Sequence, residues 1–347
     1  MNMFDELEKR ENAAPFERLA RKALAAYGMD EARLDVVSHV DHALFRVSDR
    51  IASGDKALAR YGLRIYPRGW SRNQTLRTLL WLSALRRELP VPEPILTRTG
   101  ELVQSLSTRG VSGFRQVALL SWLDGRRLDV AEWTQEQARD VGRLIGAFHQ
   151  NAIRFRLPED LAPPHRDADA LTETIDPAGL SQALAVGEEA LFVAAVDRVR
   201  DAMSDLGADA HVAGMIHGRL TPDHVIFEED GARAVGFTGA RWGYYVYDLA
   251  TLDLALHPQE NADILCGALL EGYGETCSLS SEFIGHLDAF AALRLLDELV
   301  SHAAPLESGS SDVDHRRIGR TVAVLRRILA DEAAPLEGTK EERAAPL

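Results

Sequence analysis

Between Met215 and Phe227 the chain places His217, Arg219, Asp223 and His224 in one short segment, MIHGRLTPDHVIF. A histidine or carboxylate there could move a proton, a pair of imidazoles could hold a metal, and a guanidinium could hold an anion. The residue types separate these chemistries. Arg219 stays protonated at any physiological pH and has no acceptor lone pair, so it can bind an anion but cannot take a proton. His217 and His224 stand seven residues apart in a loop, with no cysteine or further histidine at ligand spacing, so no zinc set is read here. His217 reads as a structural histidine of the His-Gly turn, and Asp223, after Pro222, as a solvated turn residue.

Elements on both sides must position this segment. Phe16, Leu19, Ala20, Ala23 and Leu24 form one stripe of an opening helix over 13–27. Val36-Val37, Leu44–Val47 and Leu63–Tyr66 then read as short strands, separated by polar turns such as Ser53-Gly-Asp55. Leu76, Leu79, Leu80 and Leu85, with Trp81 beside them, predict a helix over 71–88, with Pro90 just beyond. Two more strands follow near 101–106 and 115–122. After Leu123-Asp-Gly125 the pattern turns helical. Thr134 and Gln137 make a capping box for a helix whose apolar stripe is Val141, Leu144, Ile145 and Phe148. Residues 157–166 read as a Pro-rich exposed loop, and further helices are expected over 186–206, 259–273, 281–302 and 312–331.

The two key stretches, Met215–Phe227 and Ala234–Ala250, resemble the aminoglycoside phosphotransferase and choline kinase-like family. There the first reads His-Gly-Asp-x-x-x-x-Asn and the second Ile-Asp-Phe-x-Asp before a Trp-Gly or Phe-Gly turn and Tyr-Asp-Leu-Ala. Val91-Pro-Glu-Pro94, Leu120–Gly125 and Gly142–His149 also look like family landmarks. Arg166–Leu171 and Tyr244–Leu249 point to the homoserine kinase-like and stress-response kinase-like branch. The resemblance covers roughly residues 34–300 and implies an α+β, protein-kinase-like two-lobed fold: a small antiparallel-sheet N-lobe and a larger, mainly helical C-lobe. The expected organisation is an N-terminal helical extension over 1–33, a nucleotide-binding-like N-lobe over 34–123, a phosphotransferase-like C-lobe over 124–332, and a disordered tail over 333–347.

Carried over position by position, the resemblance implies a changed site. Phosphoryl transfer needs clamped phosphates, a cation bridging their oxygens and a base at the acceptor hydroxyl. Arg219 stands where the base aspartate would be. His224 and Gly236 stand where Mg²⁺ would find oxygen ligands, and Gly239 at the second acid of that motif. Mg²⁺ prefers oxygen, which imidazole and glycine do not offer, so no metal ligand is assigned; Asp223 is the nearest rescue. Arg64 keeps the phosphate-clamp position, although its helical carboxylate partner is replaced by Thr78. Ser121, Trp122 and Leu123, which lead into the hinge at Leu123-Asp-Gly125, would meet a nucleotide. Asp248 reads as a helix N-cap that ties the helix start to the active-site loop.

These losses favour a pseudokinase-like, catalytically defective protein with a retained ligand or anion cleft and a binding or regulatory role. It would require no cofactor, and would bind nucleotide or phosphate without Mg²⁺ if it binds either. Two other readings stand beside it: an active ATP-dependent phosphotransferase using relocated acids (Asp223, Glu228, Glu229, Asp230), and a scaffold with an empty cleft. The expected partners are a small-molecule or anionic ligand and a partner protein. A net charge of −14 argues against nucleic acid and anionic membrane as partners. The charged start, MNMFDELEKRE, is not a secretory signal, and no apolar run approaches the roughly 20 residues of a membrane span. Two cysteines, Cys266 and Cys277, do not make a disulfide framework in 347 residues. A cytoplasmic protein is the expectation.

Overall fold

The computed structural model describes residues 3–39, 43–50, 58–162, 188–278, 281–303 and 312–331. Ser53-Gly-Asp55, Arg166–Leu171, the Pro-rich loop beyond Ala162 and the tail from Ala333 lie outside them. In chain order the elements are α1 (Met3–Ala25), β1 (Arg33–His39), β2 (Ala43–Arg50), β3 (Leu58–Ile65), α2 (Arg72–Leu85), β4 (Pro94–Ile95), β5 (Gln104–Thr108) and β6 (Val111–Ser121). They continue with α3 (Gln135–Arg154), α4 (Glu189–Leu206), β7 (Ala213–Ile216), β8 (Val225–Glu228), β9 (Gly231–Ala234), β10 (Arg241–Tyr244) and α5 (Val246–Leu256). Last come α6 (Ala262–Thr276), α7 (Ser281–Gly285), α8 (Leu287–Ala303) and α9 (Asp312–Asp331). The chain divides into two compact units: Met1–Arg127 with Phe155–Ala162 and Ile226–Arg241, and Leu128–Arg154 with Pro163–Val225 and Trp242–Leu347.

The first unit is built on a six-stranded sheet of order β1-β2-β3-β6-β4, with β5 on β6 and every pairing antiparallel. Alternation puts Phe45, Val47, Leu63, Ile65, Val117 and Leu119 into a core with Leu19, Ala20, Ala23 and Leu24 of α1. The stretch set off by sequence as an N-terminal extension therefore shares the core of the sheet. Helix α1 also begins ten residues before the expected Ala13.

Ser71 caps α2. Its Oγ accepts from Gln74 N at 3.1 Å, and Gln74 Oε1 accepts from Ser71 N at 2.9 Å. The buried face of α2 differs from the leucine stripe: Thr75, Thr78, Leu79, Trp81, Leu82 and Leu85 point inward, while Leu76 and Leu80 are half-buried. The threonines can be buried because their hydroxyls donate to helix carbonyls, Thr75 to Ser71 O at 3.1 Å and Thr78 to Gln74 O at 3.3 Å.

The second unit is mainly helical. The Thr134–Gln137 capping box forms, with N–H···O distances of 2.9 and 3.2 Å. Val141, Leu144, Ile145 and Phe148 are all buried. Helices α3 and α6 approach closely because glycine lines the contact. A Cβ on Gly142 would fall 2.0 Å from Leu269 O, and one on Gly272 2.0 Å from Arg139 O. The single helix expected over 281–302 is two, broken at His286 just after Gly285. Trp242-Gly243, which matches the Trp-Gly turn of the resembled family, is part of strand β10, which pairs with β7.

Candidate functional site

The segment singled out by its residue types follows β7, whose four residues are all buried. Its backbone is held from below by Asp248. The Asp248 carboxylate is fully buried and accepts the backbone N–H of His217 through Oδ2 and of Gly218 through Oδ1, both at 2.8 Å. Gly218 has φ 69°, where a side chain would be strained. Asp248 ties the start of α5 to this loop, as the resemblance implied, but it does so without being the helix cap. It lies in the first turn of α5, after the cap position Tyr245, and spends its lone pairs on the loop.

His149 of α3 supports the same carboxylate. Its Nε2 lies 3.4 Å from Asp248 Oδ2, its Nδ1 lies 3.0 Å from the Tyr273 hydroxyl, and its ring stacks on Tyr245 at 4.5 Å. Burial holds the His149 imidazole below its usual range against the pull of Asp248. Burial also opposes ionisation of Asp248, but His149, His217 and the Gly218 N–H outweigh it and keep this carboxyl low. With Asp248 ionised it can only accept, so neutral His149 donates from Nε2, and Nδ1 accepts from Tyr273 O–H. The chain Tyr273–His149–Asp248–loop backbone is thus satisfied throughout. Sequence reasoning missed His149 and Tyr273. His149 did end both the apolar stripe of α3 and the landmark Gly142–His149, but neither gave it a role.

Above this anchor the loop carries its polar side chains. The His217 side chain is fully buried, in keeping with a structural histidine. Leu220 and Val225 are also buried and pin the segment. Arg219, between them, is exposed, and its guanidinium makes no hydrogen bond or ion pair with a described residue. Pro222–His224 form a 3-10 turn with Asp223 exposed. The Nδ1 of His224 is 3.0 Å from Thr221 Oγ1, and its ring lies 5.8 Å from that of His217. The structure therefore gathers His217, Arg219, Asp223 and His224 on one loop of the second unit.

Arg64, Ser121, Trp122, Leu123 and Gly236 belong to the first unit. Arg64 is half-buried on β3, in register with Leu44 and Ala118. The backbone N–H of Ser121 donates to Glu93 O at 2.8 Å and that of Trp122 to Arg60 O at 3.1 Å, so both are taken up within the unit. Leu123 is half-buried. Gly236 adopts φ 82°, ψ 32° at the start of the 3-10 turn Phe237–Gly239. This left-handed backbone suits glycine, and aspartate is among the few other residues that visit it. Phe237 meets Trp81 edge-on with ring centroids 6.0 Å apart, and the Thr78 hydroxyl reaches Ala240 O at 3.4 Å. Thr78, where the clamp partner would stand, is thus a packing residue of this turn.

Comparison with known proteins gives the arrangement a lineage. Residues 45–282 match the Phosphotransferase enzyme family. No curated protein matches the chain significantly. Among solved structures, a microcompartment-associated aminopropanol kinase superposes with a TM-score of 0.73 at 20% identity, over 91% of this chain and 98% of that one. The amicoumacin kinase hAmiN gives 0.71 at 14% identity, over 91% and 93%. A choline/ethanolamine kinase family protein from Mesorhizobium loti gives 0.62 at 14%, over 90% and 94%. These likenesses bear on the fold, which is that of a two-lobed kinase with an antiparallel-sheet N-lobe and a helical C-lobe. Since the family match covers well over half of its residues, the chain belongs to the phosphotransferase enzyme family.

Proposed function

We propose that this phosphotransferase-family protein is pseudokinase-like: it binds an anionic ligand without Mg²⁺, in a binding or regulatory role, and does not transfer phosphoryl groups at an appreciable rate. The observation that carries this reading is Arg219, an exposed guanidinium with no described partner, directly after the His217-Gly218 backbone that Asp248 fixes; the family resemblance gives this position to the base. A permanent cation cannot accept the proton of an acceptor hydroxyl, and general-base help is worth about 10²–10⁴-fold. It is well suited to charge-assisted hydrogen bonds with phosphate or carboxylate oxygens. The metal positions support the same reading. His224 offers nitrogen where Mg²⁺ wants oxygen, and Gly236 offers no side chain.

The reading places the protein in the cytoplasm, in keeping with the free thiols of Cys266 and Cys277. Among the described residues no helix is long and apolar enough to cross a membrane. The test is a phosphotransfer screen of the pure protein with ATP and Mg²⁺ against small hydroxylated and amino acceptors. The expected outcome is no transfer above background, in the parent and in Arg219→Asp alike, since the single change leaves the metal positions without oxygen. Robust Mg²⁺-dependent phosphorylation by the parent would overturn the proposal in favour of relocated acids, with exposed Asp223 the first to examine.

A further inference from the structure

A second group of chemically capable side chains lies in the helical unit, and none of its members belongs to the loop or its anchor. Asp253 sits in the last turn of α5, His257 caps that helix, and Cys266 lies in the second turn of α6. One ligand atom from each, a carboxylate oxygen, a ring nitrogen and the thiol sulfur, lies within 4.8 Å of the other two. The Asp253–His257 pair is already close: Nδ1 is 3.3 Å from Oδ2. The Cys266 thiol hydrogen-bonds to the same carboxylate. His257 is the accessible member, with 63% of its side chain exposed against 14% for Asp253.

Sulfur, nitrogen and oxygen donors together select against Mg²⁺ and Ca²⁺, which take oxygen, and in favour of a borderline-soft transition ion. Four-coordinate zinc has bonds of about 2.0–2.3 Å, which sets its ligand atoms roughly 3.5 Å apart. The nitrogen–oxygen pair is near that spacing at 3.3 Å, and the sulfur lies within 4.8 Å of both, within about an ångström of that spacing. Asp253 and His257, four residues apart, share one helix face, so their convergence needs no backbone change.

We propose that Asp253, His257 and Cys266 form a Zn²⁺ site that ties the end of α5 to α6, with water as the fourth ligand. Binding breaks the Cys266 S–H bond, forms a Zn–S bond and releases one proton to solvent. Asp253 binds as carboxylate. Without the ion, His257 Nδ1–H donates to the Asp253 backbone oxygen at 2.8 Å; on binding, the neutral imidazole gives up that hydrogen bond, its proton moves to Nε2 by exchange with solvent, and Nδ1 becomes the ligand. The 2+ ion and two anionic ligands leave the site neutral, and nothing is oxidised or reduced.

The test uses the full chain, stripped with chelator and free of nucleotide, so it is independent of the phosphate-loop reading. Titration with Co²⁺ should saturate at one equivalent, with a near-ultraviolet thiolate-to-cobalt charge-transfer band and the strong visible absorption of a four-coordinate ion. One equivalent of Zn²⁺ should displace it and raise the melting temperature, because the ion binds only the folded chain. Cys266→Ser should lose the charge-transfer band. His257→Ala, an exposed position where folding is not at risk, should weaken Zn²⁺ binding by at least the roughly 10–100-fold that losing an outer-sphere partner costs. No charge-transfer band in the parent, a band that persists in Cys266→Ser, or unchanged affinity in His257→Ala would each overturn the site and leave a hydrogen-bonded cluster.

Discussion

Asp248 and Arg219 act on one loop from opposite sides. Asp248 is wholly buried and fixes the backbone of His217 and Gly218, with His149 and Tyr273 completing its hydrogen bonds. Arg219, next in sequence to Gly218, is exposed and takes no part in that network. A buried ionised group can be exchanged only at the expense of its partners, whereas an exposed side chain on a fixed backbone can be exchanged freely. On the proposed reading, the chain keeps the frame of a phosphotransferase loop while the groups it presents have changed. In the first unit, Thr78 and Phe237 likewise pack the turn that follows Gly236, through Ala240 O and the Trp81 ring.

The largest expected effect lies at the anchor. Asp248→Ala strands two buried N–H groups and removes the partner of His149, and should cost about 3–5 kcal/mol in urea unfolding. A loss below about 1 kcal/mol would mean that the anchor does not set the loop. Gly142→Ala comes next. Its methyl would meet Leu269 O, so α3 and α6 must part, displacing His149 from Tyr273. Because the clash is with backbone, the cost should lie near the upper end of overpacking, about 3 kcal/mol, which outweighs the ~1 kcal/mol gain in helix propensity. A neutral or stabilising result would show that the two helices are not held at backbone contact.

Acidification should expose the same network. His149 is kept neutral in the folded state, so its contribution is present above the unfolded imidazole pKa of about 6.5 and is lost as pH falls below it. Asp248, held low, contributes above the unfolded carboxyl pKa of about 3.9 and is lost as pH falls through its folded value. Stability should therefore drop below pH ~6.5 with a slope approaching 1.4 kcal/mol per pH unit for the one histidine. His149→Gln should flatten that slope relative to the parent; equal slopes would remove His149 from the account. The smallest stability effect is at the tip. Arg219→Ala should change unfolding by no more than about 0.5 kcal/mol, and a large loss would erase the contrast between tip and anchor.

Local signals carried the framework well. The Thr134 capping box, the α1 stripe and the alternating strands around Leu44 and Leu63 all rest on neighbours a few residues apart, and all are present. The failures share a cause in tertiary partners. The inward face of α2 includes Thr78, whose hydroxyl also reaches Ala240 O, 162 positions away, which a count of leucines does not register. Asp248 looked like a cap because its true partners lie 30 and 31 residues back. The His149–Tyr273 contact spans 124 positions and leaves no local pattern. The trio of Asp253, His257 and Cys266 was hidden in the same way, since Cys266 reaches the other two only when α6 packs beside α5.

The separation of a retained frame from changed chemistry is tested most directly by calorimetric titration of the pure chain with ATP, ADP and inorganic phosphate at low and high salt, with and without Mg²⁺. The account predicts binding that does not need Mg²⁺, weakens as salt screens the guanidinium, and falls away in Arg219→Ala while the protein stays folded. Absence of binding at low salt, or binding that appears only with Mg²⁺ and survives Arg219→Ala, would contradict it.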